Sequence, residues 1–88
     1  MKMKPLLGAQ IRAGRALLRW TAKDLARASA LGVNTVRRAE IAEDETSLTA
    51  ANDLAVRRAF EAAGVEFIDE NDGGPGVRLR KRRAKSSR

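Results

Sequence analysis

Two short helical patterns, parted by a break of four residues, constrain this chain more than any other feature. Residues 22–28 and 33–41 carry apolar side chains at helical spacing, and Ser29-Ala30-Leu31-Gly32 interrupts them. Segments this short are not stable alone, because the first turn of a helix fixes several residues for one hydrogen bond. They must pack on each other and on further elements. Thr21 can cap the first of them, and Asp24 three residues on completes a capping box with Asp in place of Glu. Leu25, Ala26 and Ser29 then face inward. Gly32 is a weak N-cap for the second. At 100° per residue, Val36 and Ala39 share one side of it, Asn34 and Arg38 point away, and Arg37 flanks them.

Helical spacing also covers the start of the chain. Leu7, Ile11, Gly14 and Leu18 fall on one stripe and Arg12, Arg15 and Arg19 on a second, which predicts a helix over about 6–19. Ala42 to Thr46 reads as a loop, with Ser47 capping a helix over about 48–63. In that helix Leu48, Ala51, Ala55, Ala59 and Ala62 make a stripe that Leu54, Val56, Phe60 and Ala63 widen. Two readings fit it: an alanine-rich helix of high propensity, or one touching both its own core and a partner subunit.

Gly64 ends the pattern and the period becomes two. Val65 and Phe67 alternate with Glu66 and Ile68, and Val77 and Leu79 alternate with Arg78 and Arg80. Between them lies Asn71-Asp72-Gly73-Gly74-Pro75-Gly76, so the segment reads as a β-hairpin with a long loop. A lone hairpin is marginal in water and must pack on helices or on the edge of another copy. The expected division is a mostly α unit over 1–64, a hairpin over 65–80 and a disordered basic tail over 81–88.

Charge and missing residue types narrow the function. The net charge is +7, and seven of the eighteen basic residues lie in 78–88, while 1–77 is balanced. A neutral body with a cationic arm suits a polyanion. There is no cysteine and no histidine, which removes disulfides, thiolate metal sites and the commonest general base. The acids at Glu43 to Glu45 and at Asp69 and Asp72 sit in loops with no catalytic group beside them, so no enzyme, metal or cofactor is expected. The apolar stretch Pro5 to Ile11 is too short to span a membrane, so the expected location is the cytoplasm.

The segment TAKDLARASALGVNTVRRAE, Thr21 to Glu40, resembles the helix-turn-helix of the Xre family, the Cro and cI type repressors. Leu25-Ala26 matches the Leu-Ala of its second helix, Thr35-Val36 the Thr-Ile of its recognition helix, and Glu40 the closing acid. Arg15 matches an arginine that pairs with that acid in the family, a structural role. GVEFIDEN, from Gly64, and GPGVRLR, from Gly74, look like the C-terminal segment of many small bacterial regulators of this type. The resemblance covers about 6–80 and implies a lambda-repressor-like four-helix domain with a C-terminal hairpin. Two positions depart from it: Ala30 stands where the family has glycine, and Gly32 where it has a serine or threonine cap.

The resemblance implies base contacts by Val33, Asn34, Arg37 and Arg38. Phosphate contacts would come from Thr21, Ala22 and Lys23 at the start of the second helix, and from Arg12, Arg19, Arg27 and Thr35. Arg80, Lys81, Arg82, Arg83 and Lys85, a basic tail, would lie along the DNA backbone or enter the minor groove. The implied function is a double-stranded-DNA-binding transcriptional regulator, a homodimer on an inverted repeat that controls its own or a neighbouring operon. Dimer candidates are Phe60, Val65, Phe67, Val77 and Leu79. The alternative is an antitoxin-like module that binds a partner protein and autoregulates. A third, RNA binding by the tail, is disfavoured because Trp20, Phe60 and Phe67 are the only aromatics.

Overall fold

The computed structural model describes residues 4–69 and 73–80, so Lys81, Arg82, Arg83 and Lys85 of the expected tail lie outside the described residues. Four helices are followed by an antiparallel hairpin: α1 (Gly8–Leu18), α2 (Ala22–Ser29), α3 (Val33–Glu40), α4 (Ala50–Ala62), β1 (Val65–Ile68) and β2 (Gly76–Leu79). The mostly helical expectation and its terminal hairpin are present.

Local chemistry sets most of the boundaries. The Asp24 N–H donates to the Thr21 hydroxyl at 3.0 Å, and the Thr21 N–H donates to the Asp24 carboxylate at 2.9 Å. That backbone donor first, and the Thr21 side chain second, hold the Asp24 carboxyl below its ordinary value. The box is therefore complete above the unfolded carboxyl pKa of about 3.9 and weakens as pH falls through the lower folded value. Ala30 ends α2 in the left-handed region at φ 61°, ψ 33°, its N–H reaching back to the Ala26 and Arg27 carbonyls. The alanine in the turn thus adopts the glycine-like conformation, at a cost of about 1 kcal/mol.

The start of α4 corrects the expected cap. The Asn52 N–H donates to the Thr49 hydroxyl at 3.1 Å, and the helix begins at Ala50. Thr49, not Ser47, is the capping residue. Thr49→Ala should cost about 1 kcal/mol in urea denaturation, whereas Ser47→Ala, at an exposed loop position, should stay within about 0.5 kcal/mol of the parent.

The core corrects the inward face of α4. Its buried residues are Asp53, Val56, Arg57, Ala59 and Phe60, whereas Ala51, Leu54 and Ala62 of the expected stripe are exposed. An alanine-rich helix carries apolar side chains on several faces, and the charged pair Asp53–Arg57 lies on the inner one. The Arg57 Nε donates to Asp53 Oδ1 at 2.5 Å, Asp53 Oδ2 accepts the Leu6 N–H at 2.9 Å, and Arg57 also reaches the Lys4 carbonyl. Leu6 in turn accepts the Thr46 N–H at 2.9 Å. A buried ion pair therefore seats the N-terminal segment on α4.

Phe60 is the centre of the core. Trp20 stacks on it with ring centroids 5.7 Å apart, and Phe67 meets it edge-on at 5.6 Å. Gly14 allows α1 this close, since a Cβ there would lie 3.0 Å from the Phe60 ring. Phe60 and Val65 are fully buried, so neither can serve as the dimer contact expected of them. Burial against α1 and α2 claims the side chains first. Phe67 and Val77 are partly buried against the same core, and of the five dimer candidates Leu79 alone is exposed.

The hairpin pairs Val65 with Leu79, Glu66 with Arg78, Phe67 with Val77 and Ile68 with Gly76. Gly64 turns the chain into it at φ +102°. Gln10, buried on α1, donates through its amide to the Gly76 carbonyl at 3.1 Å and caps its own helix by accepting the Leu7 N–H at 3.0 Å. No helix among the described residues is long and apolar enough to cross a membrane.

Candidate nucleic-acid interface

One side of α3 enters the core through Val36, Ala39 and Glu40. The other leaves Asn34, Arg37 and Arg38 exposed, their side chains with no hydrogen bond or ion pair to any of the described residues. Val33 and Thr35 flank them, half-buried. Of the four expected base-reading residues, Asn34, Arg37 and Arg38 thus share one exposed face of a short helix, while Val33, in its first turn, packs partly against the core.

Contacts from α1 hold that helix at its C-terminal end. Arg15 grips the Glu40 carboxylate with both arms of its fork, Nε to Oε2 and Nη2 to Oε1 at 2.9 Å, and donates to the Trp20 carbonyl at 2.8 Å. Hydrogen bonding to Glu40 raises the Arg15 pKa above its ordinary value, against the opposing effect of burial and with the help of the Glu40 charge. A bidentate pair fixes orientation as well as distance. Arg12, expected at phosphate, donates to the Glu40 carbonyl. Gly8 completes the clamp, because a Cβ there would lie 2.4 Å from the Ala42 carbonyl oxygen and 2.8 Å from that of Glu40. Gly8→Ala should therefore cost about 3 kcal/mol, the upper end for an overpacked site, and lower the melting temperature by roughly 10–20 °C. An alanine variant that melts with the parent would refute the clamp.

The expected phosphate residues lie at several places on the surface. Thr21 and Lys23 are exposed and Ala22 is half-buried. The capping box uses the Thr21 and Asp24 N–H groups, so Ala22 and Lys23 keep the free donors of the first turn. Arg19 is exposed at the end of α1, and Arg27 is exposed with its guanidinium 3.5 Å from Asp24. Arg80 belongs to the hairpin, since its backbone N–H donates to the Gly64 carbonyl at 2.7 Å and its side chain to that of Glu61.

No protein-family model matches the chain, and no curated protein matches it either. The interface therefore rests on its own geometry. A groove runs from Thr35 and Arg38 across Ser47, Leu48, Thr49 and Asn52. It joins the exposed face of α3 to the N-terminus of α4, where hydroxyls and helix dipole favour an anion. Apart from Thr35 and Arg38, its residues were not among the expected contacts. Their one sequence signal is a cluster of Ser and Thr before a helix, which also reads as capping alone. Trp20 stacks on Phe60 and Phe67 meets it edge-on, so the aromatic surface is spent on the core.

Proposed function

We propose that this chain is a cytoplasmic, sequence-specific regulator of transcription that binds double-stranded DNA, with α2 and α3 as its helix-turn-helix. One observation carries the reading: Asn34, Arg37 and Arg38 project together from α3 with no partner among the described residues, while Arg15 and Glu40 brace the inner side of that helix. An α-helix about 10–12 Å across fits a major groove about 12 Å wide. In that groove Arg38 donates two hydrogen bonds to guanine O6 and N7, Asn34 pairs with the adenine edge, and Val33 meets a thymine methyl. Ala22 and Lys23 offer backbone and side-chain donors to phosphate, and Arg19 and the groove at the start of α4 offer further ones.

Two copies on an inverted repeat would place their α3 helices about 34–36 Å apart, one helical turn of DNA. The surface best suited to the second copy is the outer side of α4, where Leu54 is exposed among Ala51, Ala55 and Ala62. The hairpin packs on the helices of the single chain, which weighs against a toxin-masking segment that stays unfolded until bound.

Selection of bound sites from random duplex DNA tests the proposal. The expected product is a pair of inverted half-sites of fixed spacing. A pool that shows no enrichment after repeated rounds at moderate salt would overturn it.

A further inference from the structure

The outer edge of β2 is open. Arg80 donates its N–H to the Gly64 carbonyl, so 64 and 80 face each other as a hydrogen-bonded pair. By the alternation of antiparallel strands, 66 with 78 and 68 with 76 are hydrogen-bonded too, and the N–H and C=O groups of Val77 and Leu79 point outward from β2. They have no partner among the described residues. The strand register places the Leu79 side chain on the face of Val65, yet Val65 is fully buried and Leu79 is 51 % exposed. The face that buries Val65 thus leaves Leu79, on the outer strand beside it, half-covered. Arg78 and Arg80 stand on the opposite face, sharing the single carboxylate of Glu66 at 3.0 and 3.9 Å.

Nucleic acid does not match this edge, because phosphate offers no donor to the outward carbonyls and nothing apolar to Leu79. A second copy does not match it either. Antiparallel pairing of β2 with itself about residue 78 sets Arg78 against Arg78, and pairing about 79 sets Arg78 against Arg80. Like charges directly opposite destabilise a sheet. Pairing about 77 sets Leu79 against Pro75, which has no N–H to give. We propose that the outer edge of β2 receives an extended segment of a partner protein as a third strand, with acidic side chains facing Arg78 and Arg80 and apolar ones covering Val77 and Leu79. This is independent of the DNA reading and stands or falls without it.

A synthetic peptide of about eight residues, alternating valine and glutamate, is the probe, titrated into the intact chain and followed by amide NMR and hydrogen exchange. Saturable shifts confined to 76–80 are expected, with slowed exchange at the Val77 and Leu79 amides, and no binding by the same peptide with lysine for glutamate. Leu79→Pro removes an outward donor but no bond within the hairpin, and should weaken binding about tenfold. Arg78→Glu, at an exposed position, should exchange the preference for the two peptides, which keeps the test decisive if the proline variant fails to fold. Three results would overturn the proposal: no protection of the two amides at saturating peptide, the same protection in the chain alone with dimerisation, or protection by random duplex DNA that displaces the peptide.

Discussion

Asp53→Ala should leave much of the chain unfolded in water. The Asp53 carboxylate accepts Arg57 Nε at 2.5 Å and the Leu6 N–H at 2.9 Å, and both donors lie away from solvent. Removing it strands a buried guanidinium and a buried amide together. Breaking such a pair from one side costs about 3–5 kcal/mol. A domain of this size has roughly 4–13 kcal/mol in all, so the loss is a large part of the total. Urea denaturation reads it as a midpoint shifted far toward zero, or as no folded baseline. Replacing both partners, Asp53→Leu with Arg57→Met, should recover most of the stability, because an apolar pair of similar volume leaves no charge unpaired. If the single variant unfolds with the parent, Asp53 is not what seats the N-terminal segment. A double variant no better than the single would instead show that the contacts of Arg57 to Lys4 and to the Phe67 ring, 5.8 Å from its Cζ, matter more than the charge.

The second large effect concerns recognition. Arg38→Ala should bring the affinity for the selected operator close to that for random DNA and leave the melting temperature unchanged, since Arg38 is exposed and has no partner among the described residues. A bidentate contact to guanine discriminates by about 1–3 kcal/mol, and a dimer makes it twice, so the specific affinity falls by roughly 30-fold to over 10,000-fold. Affinity for random DNA should change little. Deleting 81–88 should do the reverse, weakening operator and random DNA alike and flattening the salt dependence, because phosphate contacts carry no sequence information. Titrations of the two duplexes at several salt concentrations separate the outcomes. An Arg38→Ala protein that weakens on both duplexes equally would move Arg38 from the base edge to the phosphate.

The α3 face could be read ahead of the structure because helical spacing alone sets Asn34 and Arg38 opposite Val36 and Ala39. The Arg15–Glu40 pair came only from the family resemblance. The groove along Ser47, Thr49 and Asn52 escaped notice because the cap of α4 was placed two residues early.

What the sequence by itself determined is local: that four helices precede a hairpin, the capping box of Thr21 and Asp24, and which side of a short helix with one apolar face turns inward. Hydrogen bonds within a few residues, and the periods of 3.6 and 2, decide these things wherever in the fold the segment lies. Tertiary structure alone decided which face of α4 is inside, why Gly8 must be glycine, that Gln10 ties α1 to the hairpin, and that Phe60 and Val65 are core rather than subunit contact. An alanine-rich helix has several apolar faces, and the choice among them fell to partners far along the chain. The Leu6 amide that meets Asp53 is 47 residues away, a distance over which neither propensity nor periodicity carries information.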